Sequence, residues 1–134
     1  MTDTALAGIS VLDLSDGMSG GYCSKVLRDL GADVLKIEAP ESGDPTRRMG
    51  PFLNGTPNRE TGAPFLYLNA GKRSLTLSLE SDQGRKILSQ LVRKADVLVE
   101  DFKPGTMDAL GLGYVEFEKT NPGLVMASIS YFGQ

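Results

Sequence analysis

The chain has 134 residues, 40% of them hydrophobic and 23% charged, with a formal net charge of −3, the balance of one ordinary globular domain. The negative charge argues against nucleic acid as a partner, and the amino terminus lacks the basic segment and apolar run of a signal or membrane span, so the cytoplasm is the expected location. The single cysteine, Cys23, has no internal disulfide partner, and the absence of histidine removes serine–histidine and cysteine–histidine nucleophile pairs, imidazole zinc sites and the commonest general base. No metal site is expected, and acid–base chemistry within the chain falls to carboxylate, lysine or tyrosine.

Ile9 to Leu14 forms a short apolar, β-branched run and predicts a strand, followed by the glycine-rich turn from Asp16 to Gly21. From Tyr22 the apolar positions Tyr22, Cys23, Val26, Leu27 and Leu30 fall on one helical face, which places Cys23 in the core, and Gly31 can stop the helix in a left-handed conformation. Ala32 to Glu38 gives a second strand, completing a unit of the length a parallel crossover needs. Ala39 to about Pro64 is rich in glycine, proline, asparagine and charge and reads as a long loop, of the kind that is usually functional or mobile. Arg73 to Leu79 alternates leucine with small polar residues, the period of a strand with one buried face.

Ser81 is the expected N-cap of the next helix, with Asp82 in its first turn and Gly84 allowing close approach to the sheet. Val97 to Asp101 reads as a central parallel strand. Pro104 suits the first turn of a short helix running to about Leu110, Gly111 and Gly113 break it, and Tyr114 to Thr120 predicts another turn or two. Leu124 to Ile129 makes the last strand. This order predicts an α/β fold, an open, mainly parallel, Rossmann-like sheet with helices on both faces. Ligands of such sheets bind outside the carboxyl ends of the strands, which selects Asp16 to Gly20, Glu100 to Lys103 and Ser130 to Gln134 as one rim.

The turn at Asp16–Gly21 opens a helix, so its amides are candidates for a phosphate or carboxylate, with a simple chain reversal equally open. Glu38 stands about 20 residues on, where a dinucleotide fold places its ribose-binding acid, but only Gly17, Gly20 and Gly21 are present and the G-x-G-x-x-G fingerprint is not met. Lys72 and Arg73 precede a strand, where a solvated loop pair is the ordinary reading. Glu100 and Asp101 are neighbours on a strand and point to opposite faces, a poor geometry for a catalytic pair.

Taken together, VLDLSDGMSGG, LRDLGADVLKIEAPESGDPTR, NAGKRSLTLSLES, ADVLVEDFKPGTMDALGLGY and NPGLVMASISYFGQ resemble the opening of a family III CoA-transferase of the CaiB/BaiF type. The resemblance runs from Gly8 to Gln134 with its blocks in order. It implies residues 1–134 as the amino-terminal part of a CoA-binding Rossmann-like domain, in a polypeptide roughly three times this length that forms an interlocked homodimer. It implies acyl-CoA and a carboxylic acid as substrates, no permanently bound cofactor, and a catalytic aspartate beyond Gln134 that forms a covalent intermediate. Within the chain, then, no catalytic residue is expected, and the 134 residues alone should be inactive. The implied CoA contacts are Met18 and Ser19; Leu77, Ser78, Leu79 and Glu80; Asp101, Phe102 and Lys103; and Ser130, Tyr131, Phe132 and Gly133. Ala109 and Glu80 stand where the family often has basic residues, and Lys72 and Arg73 are the candidates to bind phosphate in their stead. The alternatives are an α-methylacyl-CoA racemase-like isomerase and a non-catalytic nucleotide-binding module.

Overall fold

In a computed structural model that describes residues 4–133, the expected strands become β1 (Ser10–Asp13), β2 (Asp33–Glu38), β3 (Arg73–Thr76), β4 (Val97–Glu100) and β5 (Val125–Ser128). All pair in parallel, in the order β3-β2-β1-β4-β5. Leu12 of β1 is aligned with Leu35 of β2 on one side and Leu98 of β4 on the other. The connections form the helices α1 (Met18–Asp29), α2 (Ala63–Asn69), α3 (Asp82–Val92), α4 (Thr106–Ala109) and α5 (Tyr114–Glu118).

Alternation along the strands divides the apolar side chains between two clusters, one on each face. Leu12, Leu98, Ile37 and Leu77 pack with Leu88 and Val92 of α3, Met107 of α4 and Phe117 of α5. Val11, Val34 and Val99 pack with Ala32 and, at their margin, Cys23 and Leu27 of α1. Each fully buried aliphatic side chain contributes about 1.5–3 kcal/mol of transfer free energy, so the larger cluster holds most of the stabilisation. Helices on both faces are thus the observed arrangement.

The local signals act as expected at several ends. Gly31 takes φ +106 behind α1, and Ser81 Oγ accepts from Gly84 N at 3.0 Å at the start of α3. Gly84 is pressed against backbone rather than against the sheet: a Cβ there would stand 1.8 Å from the Ser78 carbonyl oxygen.

Three expectations change. The loop after β2 carries helix α2, which begins with Pro64 at its first turn. Seven residues hold too little periodicity to announce a helix, and packing fixes it instead: Leu68 is buried and the Arg47 guanidinium stacks 3.6 Å from the Phe65 ring centroid. Strand β3 ends at Thr76, so Leu77 to Glu80 lead into α3 rather than run along the sheet, although Leu77 N still donates to Glu38 O at 2.9 Å. On α1 the buried positions are the small residues Gly20, Gly21 and Ser24; Tyr22, Val26 and Leu30 are exposed, and Cys23 is half-buried at the core margin. The helix approaches the sheet through its small residues because a polar group, the Asp13 carboxylate, waits there for Ser24.

Candidate functional site

The strand order reverses direction between β1 and β4, and the crevice that forms there is where an open parallel sheet receives ligands. The ends of three strands build it: Asp16 to Ser19 after β1, Asp101 to Pro104 after β4, and Ile129 to Gly133 after β5. Together they line a cleft of about 570 Å³.

One side chain shapes its floor. Asp101 turns back toward the start of α1, where its carboxylate accepts from Asp16 N at 2.7 Å and from Gly20 N at 3.2 Å. The positive end of the helix dipole is therefore met by a carboxylate of the chain itself. Two glycines follow from that closeness. A Cβ on Gly17 would lie 2.9 Å from Asp101 Oδ2, and one on Gly20 would lie 2.9 Å from the same oxygen and 2.3 Å from Ser15 Cβ. The turn is glycine-rich so that a carboxylate can sit against it.

Glu100, next in sequence, is buried and accepts from Phe102 N at 2.8 Å, so the two acids face different surroundings and form no pair. Ser130 Oγ is buried with no hydrogen-bond partner among the described residues. Lys103, Tyr131 and Phe132 are exposed. Partial desolvation pushes the Asp16 carboxyl up, against the opposing pull of Lys36.

Beside the cleft, the carboxyl ends of β1 and β2 hold a closed charge network. Asp13 accepts from Ser15 N at 3.0 Å, Ser24 Oγ at 2.6 Å and Lys72 Nζ at 2.9 Å. Lys36 Nζ bonds the Ser15 carbonyl and pairs with Asp44 at 2.8 Å, with Asp13 at 3.7 Å. Glu38 takes the guanidinium of Arg47 on both carboxylate oxygens, at 2.8 and 3.0 Å. Burial alone would push the Asp13 carboxyl up, but Lys36, Lys72 and the two serine hydroxyls outweigh it and hold it below the usual range. For Glu38, too, burial is outweighed, here by Arg47 and the Asp44 amide, and its carboxyl lies low. Desolvation pushes the Lys72 ammonium down although Asp13 opposes it.

The sequence-selected residues divide accordingly. The cleft brings together Met18, Ser19, Asp101, Phe102, Lys103, Ser130, Tyr131, Phe132 and Gly133; Gln134 lies outside the described residues. Lys72 is elsewhere: its side chain is 1% exposed and its Nζ is bonded to Asp13, Ser24, Gly21 O and Asn69, so it serves the interior rather than a phosphate. Arg73 opens β3 and pairs with Asp33 at the start of β2, at the opposite end of the strands from the cleft. Leu77 is buried, while the carbonyls of Leu79 and Glu80 accept from Arg85; none of the residues 77–80 lines the cleft. Asp16, Gly17, Pro104 and Ile129 line it and were not singled out as contacts, although Asp16 and Gly17 stood in the selected turn.

Among relatives, the chain is 44% identical over 127 residues to the acetyl-CoA:oxalate CoA-transferase of Acetobacter aceti, covering 95% of this chain and 31% of that one. It is 43% identical over 124 residues to the succinyl-CoA:(R)-benzylsuccinate CoA-transferase subunit BbsE of Thauera aromatica, covering 92% and 30%. Among solved structures, Rv3272 of Mycobacterium tuberculosis superposes with a TM-score of 0.86 at 38% identity, over 97% of this chain and 35% of that one. The chain thus spans about a third of the length of the proteins it matches. The family profile for CoA-transferase family III covers residues 6–134, from before β1 through the last strand of the sheet, and the chain belongs to that family.

Proposed function

We propose that this chain is the CoA-binding amino-terminal part of an enzyme that moves CoA from an acyl-CoA to a carboxylic acid. The observation that carries the reading is the cleft at the β1/β4 reversal, which gathers the turn after β1 and the ends of β4 and β5 in a chain belonging to a CoA-transferase family. The relatives' names, which pair an acyl-CoA with an organic acid, support both substrate classes. Within that reading CoA comes and goes as a substrate, and no cofactor stays bound.

The chemistry belongs to an aspartate outside these residues. Its carboxylate attacks the thioester carbonyl, the C–S bond breaks, and CoA leaves as a thiolate with a mixed anhydride formed. The thiolate then attacks the aspartyl carbonyl, releasing the first acid and leaving an aspartyl-CoA thioester. The acceptor carboxylate displaces CoA from that thioester to give a second anhydride, and the thiolate takes the new acyl group, freeing the aspartate. The described part would hold CoA and carry none of these steps. A homodimer in the cytoplasm belongs to the same reading. Exposed apolar side chains on α1 (Met18, Tyr22, Val26), at Leu30 just after it and on α2 (Leu66, Tyr67) support a partner surface.

Titrating the 134-residue chain with CoA while following its backbone amides tests the binding, and incubating it with acetyl-CoA or succinyl-CoA and oxalate tests the division of labour. Perturbation of Gly17 to Gly20 and Ile129 to Gly133 without acyl transfer is expected. Acyl transfer by the chain alone would place the nucleophile within it, and an unresponsive cleft would remove the CoA-binding assignment.

A further inference from the structure

The segment between β2 and α2 gathers three arginines, and only one of them is matched by acids. Arg47 takes the carboxylates of Glu38 and Glu60, at 2.8 and 3.0 Å. Arg48 and Arg59 make no ion pair among the described residues. Instead, Arg48 Nη1 and Arg59 Nη2 donate to one acceptor, the Ser42 carbonyl oxygen, at 2.6 and 2.5 Å. The turn that carries this oxygen is left-handed on either side of it, at Glu41 (φ +62) and Gly43 (φ +60), and a Cβ on Gly43 would lie 3.2 Å from Arg59 Nη2. Two guanidiniums on one neutral oxygen leave like charges side by side, a repulsion that a bound anion relieves. A guanidinium carries several N–H donors in a planar fork, and here each spends a single bond on the carbonyl. Both arginines are exposed, and Arg59 borders a cavity of about 320 Å³ beside the ends of β2 and β3. Of the acids on that cavity, Glu38 and Glu60 are taken up by Arg47, and Glu41 faces solvent.

We infer that Arg48 and Arg59 form a phosphate-binding fork on the segment after β2. It is separate from the cleft between β1 and β4, which neither arginine lines. A phosphate dianion has enough oxygens to receive charge-assisted hydrogen bonds from both guanidiniums at once, and it supplies the counter-charge that the Ser42 carbonyl lacks. Ser42 and Arg48 come early in the segment and Arg59 stands shortly before α2, so a phosphate held between them ties its two arms together. The inference goes beyond the CoA reading and does not rest on it.

The test is a titration of the 15N-labelled protein with inorganic phosphate at fixed ionic strength, read at the amides of Ser42, Gly43, Arg48 and Arg59, with sodium chloride as the control. Saturable shifts with phosphate and none with chloride are expected. Arg48→Gln and Arg59→Gln should each weaken phosphate about tenfold, as for loss of a hydrogen bond to a charged group. Phosphate that moves these amides no more than chloride does would overturn the inference, as would a midpoint unchanged in Arg59→Gln. The comparison of phosphate with chloride decides on the unaltered protein, whatever the variants do. Titrations with CoA and with dephospho-CoA then identify the source of the phosphate. Tighter binding of CoA at the arginines makes it the ribose phosphate, and silence to both, with inorganic phosphate still bound, makes it a free phosphate. The CoA reading is judged separately, at the cleft amides of Gly17 to Gly20 and Ile129 to Gly133, so either reading can fail while the other stands.

Discussion

At the carboxyl ends of β1 and β2, Asp13, Lys36, Asp44 and Lys72 are shut away from solvent and bonded to one another. At the carboxyl ends of β4 and β5, on the same edge of the same sheet, Lys103, Tyr131 and Phe132 stand open around a cleft. The first region uses charge as scaffold. Lys36 reaches Asp44 and Glu38 reaches Arg47, so two ion pairs pin the long segment after β2 to the sheet. In the second region the carboxylates committed to the fold, Glu100 and Asp101, each close a turn and leave the space above Asp101 free. A basic residue near a ligand rim is therefore not yet a ligand contact: what decides is whether a buried acid lies closer than solvent, as Asp13 does for Lys72.

The sharpest way to break that contrast is Asp13→Ala, which strands Lys72 without an anion and leaves Lys36 only Asp44. A loss of about 3–5 kcal/mol, the cost of leaving a buried charge unpaired, is expected in urea unfolding. Gly20→Ala strikes the seam between the two regions, where the added carbon meets Ser15 Cβ at 2.3 Å; it should cost about 1–3 kcal/mol as an overpacked contact. Arg73→Ala removes only the exposed pair with Asp33 and should cost less than about 1 kcal/mol. Ser130→Ala, in the open region, should change stability by less than about 0.5 kcal/mol or raise it, since no hydrogen bond among the described residues is lost. A larger loss there would mean that the cleft is structural after all.

Acid separates the regions as well. The Asp13 and Glu38 carboxyls are held below their ordinary values, so on acidification the unfolded chain takes up those protons first. Their contribution is complete above the usual carboxylate range and is lost as the pH falls through the depressed values. Stability should be level near neutrality and decline below about pH 4, and the decline should shrink in Asp13→Ala.

The sheet was legible because its strands are written as unbroken or alternating apolar runs, as in Val97 to Val99, and the crossover lengths called for parallel connections, although the alternation that continues to Leu79 outruns β3, which ends at Thr76. The crevice followed from topology. What stayed hidden depended on partners distant in sequence. Lys72 looks like a free cation until Asp13, 59 residues earlier, is brought beside it. Asp101 looks like a rim contact until the fold turns it onto the α1 amides. Helix α2 is too short to show a period, and its stability comes from Leu68 against Gly21 and from Arg47 over Phe65.

The pairing of β1 with β4 also sets a schedule. Ser10 bonds Asp96 across 86 residues, so β1 has only its β2 side closed until β4 has been made. At roughly 5–20 residues per second, the ribosome presents the pieces of the charge network several seconds before β4 and β5 arrive. The scaffold half can assemble as the chain emerges, and the cleft is completed only after it. Such distant parallel pairing slows folding, which makes a newly formed cleft a late report that the sheet has closed.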